Sequence, residues 1–264
     1  MRYVTRALTA EMLKMKRTLA LWLAAIAPAV IVVLQVIMIW DRQDYYRNQD
    51  LMREAWFEYG AQTGVLWGLL MLPLFITLET ALVGQWEHKN QQWKQLFVLP
   101  ISRGALYAAK QISGMALIGL SIAMLIGLLV VSGLGLRLLI PGLGFEAPVP
   151  WLDYLKYGMT MFLSSWLVIA IQTWVAQRWP SFAVASGVGI ALTITGAIVI
   201  QSEWANLYPY TLPVIVANGF ANEGMRTLNG FTEGLPWLEL LVGSFGGLAA
   251  AVIGSWDVTR RDVL

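Results

Sequence analysis

Residues 86–103, WEHKNQQWKQLFVLPISR, decide how this chain is read. The stretch is a polar, tryptophan-marked island between two long apolar runs, too charged to cross a lipid core and too apolar for an idle linker. Its composition predicts a short amphipathic helix over residues 88–97, halted by Pro100, with Trp86, Trp93 and Phe97 on a face that docks and the other face in water. The alternative reading is an interfacial loop whose tryptophans join an aromatic belt.

Outward from the island the chain is apolar. Of its 264 residues, 58% are hydrophobic and 13% are charged, about half the charged share of a soluble domain. Mean hydropathy is +0.62. Six stretches are long enough to cross about 30 Å of hydrocarbon: residues 19–40, 63–84, 111–133, 157–177, 181–201 and 236–256. The expected fold class is an all-α integral membrane protein, a single transmembrane domain over residues 1–264. An even number of spans puts both termini on one side. Lys and Arg on that side number five before the first span, four after the second, one at Arg178 and two in the tail. The opposite loops carry three, two and one. This bias predicts cytoplasmic termini and a cytoplasmic island. A formal net charge of +2 offers no basic excess for nucleic acid.

Residues 1–18 place Val4, Leu8, Met12 and Met15 along one helical face, with Arg6, Lys14, Lys16 and Arg17 elsewhere. Such a helix is expected to lie in the interface against anionic headgroups, a plain stop-transfer flank being the other option. The basic start resembles a signal peptide, but the apolar run behind it is span-length and no small-residue cleavage site follows, so the segment is expected to be retained. Pro28 removes a backbone hydrogen bond inside the first span and predicts a kink. Gly60, Gly64 and Gly68, and again Gly243, Gly247 and Ala251, recur every four residues and predict close helix packing, within one chain or between two. Of the outer loops, residues 41–61 suit helical extensions into water. Residues 133–150, rich in Gly and Pro around Arg137, predict an irregular connection. In residues 202–235 the apolar run 214–217 is too short to span and predicts a re-entrant element or a loop on the surface.

The chemistry is sparse. The chain has no cysteine, which excludes disulfides and thiolate sites. His88 is the only histidine, so neither an H-E-x-x-H zinc site nor a multi-histidine metal cluster is possible. No G-x-x-x-x-G-K-[ST] loop and no G-x-S-x-G elbow occur, so neither ATP hydrolysis by this chain nor a catalytic residue is expected. Glu79 is the one carboxylate expected inside a span, where a charge costs about 2.5–3.5 kcal/mol at mid-bilayer. Its nearness to the end of span two suits a coupling or structural role, and a proton relay is the other use. Gln35 and Gln172 are expected to hydrogen-bond within the bundle. An interior otherwise free of buried charge suits an amphiphilic or hydrophobic substrate.

Three features in order give a resemblance. An E-x-x-K-x-[KR] pattern covers Glu11, Lys14 and Lys16 with Arg17 beside it, Pro28 lies in the first span, and an E-x-x-x-x-x-W-K-x-L-x-x-x-P-x-[ST]-R element covers Glu87, Trp93, Lys94, Leu96, Pro100, Ser102 and Arg103, with Lys110 following. Together they resemble type-2 ATP-binding-cassette exporter permeases, most of all the small permeases of lantibiotic-immunity and bacitracin-resistance exporters, over essentially the whole chain. The resemblance implies a permease in a bacterial cell membrane, paired with a second permease (the same chain or a sister chain) and with separate ATP-binding-cassette ATPase subunits. ATP and Mg would bind the ATPase, and no cofactor this chain. It further implies an interfacial helix at Glu11, Lys14, Lys16 and Arg17 along the inner leaflet. A cytoplasmic coupling helix within residues 85–104 would present Trp86, Glu87, His88, Trp93, Lys94, Phe97, Pro100 and Arg103 to the ATPase. The cargo implied is an antimicrobial peptide or lipid-like compound. Unlike full-length exporters, the sequence carries no fused ATPase and no large extracellular domain. A proton-coupled transporter or intramembrane enzyme built on Glu79, or a non-transporting scaffold, are the competing functions.

Overall fold

The structure, a computed structural model, describes residues 8–9, 19–47, 55–89, 102–221 and 235–260. Its helices are α1 (Leu19–Asp41), α2 (Gln43–Arg47), α3 (Ala55–Leu66), α4 (Leu72–Lys89), α5 (Arg103–Leu139), α6 (Trp151–Arg178), α7 (Phe182–Val199), α8 (Leu212–Ala221) and α9 (Trp237–Arg260). No strand occurs among the described residues. A π-helical turn, Trp67–Met71, joins α3 to α4, so the two run as one rod. With that rod counted once, six helices are long and apolar enough to cross a membrane. The π-turn has a local cause: Pro73 has no N–H and its ring crowds the Leu69 carbonyl, and a widened turn relieves both.

The outside of the bundle is apolar. On α1, Leu19, Trp22, Ile26, Val30, Val33, Ile37 and Trp40 form one exposed row at steps of three or four. Ala20, Ala24, Ile31, Gln35 and Ile39 are buried on the opposite face. Helix α9 exposes Leu241, Phe245, Leu248 and Val252 in the same manner. A surface of this kind is stable facing lipid, where the backbone polar groups are satisfied inside each helix.

Helix α6 occupies the centre. Gly60 and Gly64 of α3 face Tyr154 and Tyr157 of α6, and Gly84 of α4 faces Ala176, so the α3–α4 rod runs parallel to α6. On the other flank Gly243 faces Leu163 and Ser164, Gly247 faces Trp166 and Leu167, and Gly254 faces Trp174, so α9 is also parallel to α6. The two glycine rows therefore pack within one chain. Helix α5 runs the other way, with Gly114 beside Ile169 and Gly158 beside Ile126. One end of the bundle thus gathers Lys89, Ser102, Arg178 and Arg260, and is called here the island end.

Several boundaries differ from expectation. The third span begins at Arg103 rather than 111, capped by the Ser102 hydroxyl, which accepts from the Ala105 N–H at 3.3 Å. It then continues to Leu139, so Gly133, Gly135 and Arg137 are helical and the irregular connection is shorter than residues 133–150. The Trp56 ring fills the place where a Gly133 side chain would stand, which offsets the usual penalty of glycine in a helix. The turn beyond uses Gly142 and Gly144 at φ 88° and 87°. There the Glu146 carboxylate accepts from the Gly142 N–H at 2.8 Å, which holds its pKa below the ordinary value. The fourth span starts at Trp151, six residues earlier than expected, and draws Asp153 and Lys156 into the helix.

Residues 212–221 form α8, whose Leu212, Val214, Val216, Ala217 and Phe220 are buried against the bundle. Phe220 stacks on Tyr157 with centroids 4.2 Å apart, and Gly68 leaves room for the Pro213 backbone. The segment is therefore an inserted short helix and not a loop lying on the surface. Loop 41–61 contains α2 and the start of α3.

Because Gly243 meets α6 backbone within 2.6 Å of where a side chain would begin, Gly243→Val is expected to destabilise the fold by about 1–3 kcal/mol. Gly127, with open space around it, is expected as Gly127→Ala to leave stability unchanged or raise it by up to about 1 kcal/mol. Thermal unfolding in detergent micelles measures both, and equal effects would contradict the packing described.

Candidate functional site: a polar cavity at the island end

Three helices border a small, partly open cavity at the island end. Helix α4 contributes Glu79 and Thr80, α5 contributes Lys110 and Ser113, and α6 contributes Thr173 and Gln177. The periodicity of each helix brings these groups inward: Lys110, Ser113 and Leu117 share a face of α5, as Ile169, Thr173 and Gln177 share a face of α6. Leu117, Ile118, Ile169 and Val83 supply apolar walls.

Glu79 is 2% exposed, and neither of its carboxylate oxygens has a hydrogen-bond partner among the described residues. Lys110, 3% exposed, lines the same space. An interior otherwise free of charge is thus overturned. Besides Glu79 and Lys110, the bundle buries Lys156, Asp153 and Glu239. Glu239 lies within the bounds expected for the sixth span, where flanking leucines mask it in any hydropathy average. Lys156 and Asp153 were legible by extending the inward stripe of Thr160 and Ser164 one and two turns upstream. Among the described residues no group of three or more His, Cys, Asp or Glu gathers to hold a metal.

Two further polar ties join helices, the first of them not expected from the sequence. Trp174 Nε1 donates to Asp257 Oδ2 at 3.1 Å and joins α6 to α9 near the island end. Gln172 Nε2 donates to the Tyr210 hydroxyl at 2.5 Å and joins α6 to the segment before α8. Gln35 Nε2 donates to Gln62 Oε1 at 2.8 Å, so both glutamines expected to bond within the bundle do so.

The island itself is described only at its edges. Trp86, Glu87 and His88 continue the backbone of α4, which runs to Lys89, so the span-two helix extends past the expected start of a separate helix at 88. Arg103 opens α5 and is half-buried. Trp93, Lys94, Phe97 and Pro100 lie outside the described residues, as do Glu11, Lys14, Lys16 and Arg17 of the expected interfacial helix.

Comparison with known proteins gives one family. A family model described as "ABC-2 family transporter protein" matches residues 7–196, a segment that takes in α1 to α6 and most of α7. No curated protein matches the chain.

Tyr210→Phe removes the acceptor of the Gln172 amide and is expected to cost about 1–3 kcal/mol, because a buried donor is left unsatisfied. Adding Gln172→Leu is expected to restore part of that loss. Unfolding of the single and double variants tests this, and additive losses would contradict a direct bond.

Proposed function

The chain belongs to the ABC-2 family of transporter proteins, the membrane components of ATP-binding-cassette exporters, and we propose that it takes its work from a partner ATPase through residues 85–104 and exports an amphiphilic or hydrophobic compound. The observation that carries this reading is the way the island is held. Helix α4 enters it without a break to Lys89, and α5 leaves it as a helix of 37 residues, roughly 55 Å long at 1.5 Å per residue. A push on the island therefore reaches the middle of the bundle along two stiff rods. ATP binding and hydrolysis on a separate subunit move these helices only if the contact fits one state better than another. In this reading Trp86, Glu87, His88, Trp93, Lys94, Phe97, Pro100 and Arg103 make that contact on the cytoplasmic side. Glu11, Lys14, Lys16 and Arg17 lie along the inner leaflet of the cell membrane.

The cargo proposed is an antimicrobial peptide or lipid-like molecule, as in lantibiotic-immunity and bacitracin-resistance exporters. The cavities within the chain have room for about one water each and cannot pass a peptide. The passage is therefore proposed to lie between two permeases, along lipid-facing helices. Burial of Glu79 without a hydrogen-bond partner favours one competing reading, proton-coupled transport by this chain alone.

In lipid vesicles holding the permease and its ATPase, Glu87→Lys is expected to lower substrate-stimulated ATP hydrolysis by at least about 5-fold with the permease still inserted. Unchanged stimulation would contradict the coupling role, and proton-driven flux without any ATPase would favour the competing one.

A further inference from the structure

Helices α4 and α5, the two arms of the island, pack on α6 far more than on each other. The space left between them is the cavity lined by Glu79, Ser113 and Thr173. Buried hydroxyls on apolar helices commonly donate to the carbonyl three or four residues earlier. Thr63, Thr77, Thr160, Ser164 and Thr193 all do so in this chain. Ser113 and Thr173 do not: they are 1% and 4% exposed, and their hydroxyls have no hydrogen-bond partner. The two oxygens of Glu79 are in the same condition. Ser121 also lacks a partner but does not line this space. Four unsatisfied oxygens of three side chains from three helices thus border one cavity, which points to an occupant that donates hydrogen bonds.

The rest of the lining narrows what that occupant is. Among the described residues no group of three or more His, Cys, Asp or Glu gathers here to hold a metal cation, and the polar lining of Glu79, Lys110 and Gln177 disfavours a lipid chain. The space admits about one water. We propose that the cavity is a hydration site, in which ordered water donates to both oxygens of Glu79 and exchanges hydrogen bonds with Ser113 and Thr173. The two arms of the island are then parted by solvent at this end, whereas dry glycine contacts hold α3, α4 and α9 to α6. One arm shifts against the other while water keeps the buried oxygens satisfied. This inference does not depend on the transport function.

The chain has no cysteine, so Ser113→Cys and Thr173→Cys each introduce a sole, nearly isosteric thiol, with Ser121→Cys as the dry control. The full chain in lipid vesicles is treated with Ag⁺, which is small enough to replace a water and reacts with thiolate. Blocked thiol is read as protection from alkylation after unfolding. The thiols at 113 and 173 are expected to react at least about tenfold faster than that at 121, because a thiolate forms only where water reaches it. Gly114→Val, whose new side chain would meet Ile169 at 3.7 Å and Thr173 at 4.0 Å, is expected to slow both to the control rate. Rates equal to that of Ser121→Cys, or rates unaffected by Gly114→Val, would overturn the proposal. If one cysteine variant fails to insert, the other decides.

Discussion

Close approach of backbones across glycine holds this bundle together. In lipid no hydrophobic drive separates helices from their surroundings, so association rests on van der Waals contact and on bonds between polar groups. Helix α6 receives Gly60, Gly64 and Gly84 on one flank and Gly243, Gly247 and Gly254 on the other. Each contact places atoms of α6, or aromatic rings standing on it, where a side chain would otherwise be. The parallel course of α4, α6 and α9 follows from those contacts, and with it the gathering of Lys89, Arg178 and Arg260 at one end.

The two ends of the bundle are built differently. Away from the island, aromatic packing surrounds a second small cavity lined by Tyr59 and Phe145: Trp56 lies edge-on to Phe145 with centroids 5.0 Å apart, and Phe220 stacks on Tyr157. The Tyr154 hydroxyl donates to the Trp56 carbonyl at 2.7 Å, and α8 packs between α3 and α6. At the island end the core gives way to a cavity bordered by Glu79, Lys110, Ser113 and Thr173.

Much of the fold was legible in the sequence because lipid imposes few solutions: apolar runs of about 20 residues become helices. The four-residue glycine spacing also identified real seams, although spacing alone did not say that α6 was their common partner. Apart from Glu239, hidden among leucines, the differences arise because helices run past the ends of their apolar runs. Small and apolar residues such as Ala105, Ala108 and Ala109 carry α5 well below its hydropathic start, which hid Lys110 as a buried group. Gly133 and Gly135 signal a loop in isolation and became helical because Trp56 occupies the space beside Gly133. Glu79 was legible as a charge inside a span. Ser113 and Thr173 were not, since nothing in sequence distinguishes a hydroxyl that bonds its own helix from one that does not.

The proposed coupling requires the island to face the compartment where ATP is hydrolysed. Gln91→Cys, as the sole cysteine of the chain, reports this when sealed right-side-out and inverted membrane vesicles are treated with a membrane-impermeant maleimide. Labelling confined to inverted vesicles is the predicted result. Labelling of right-side-out vesicles would place the island on the outer surface and contradict the account.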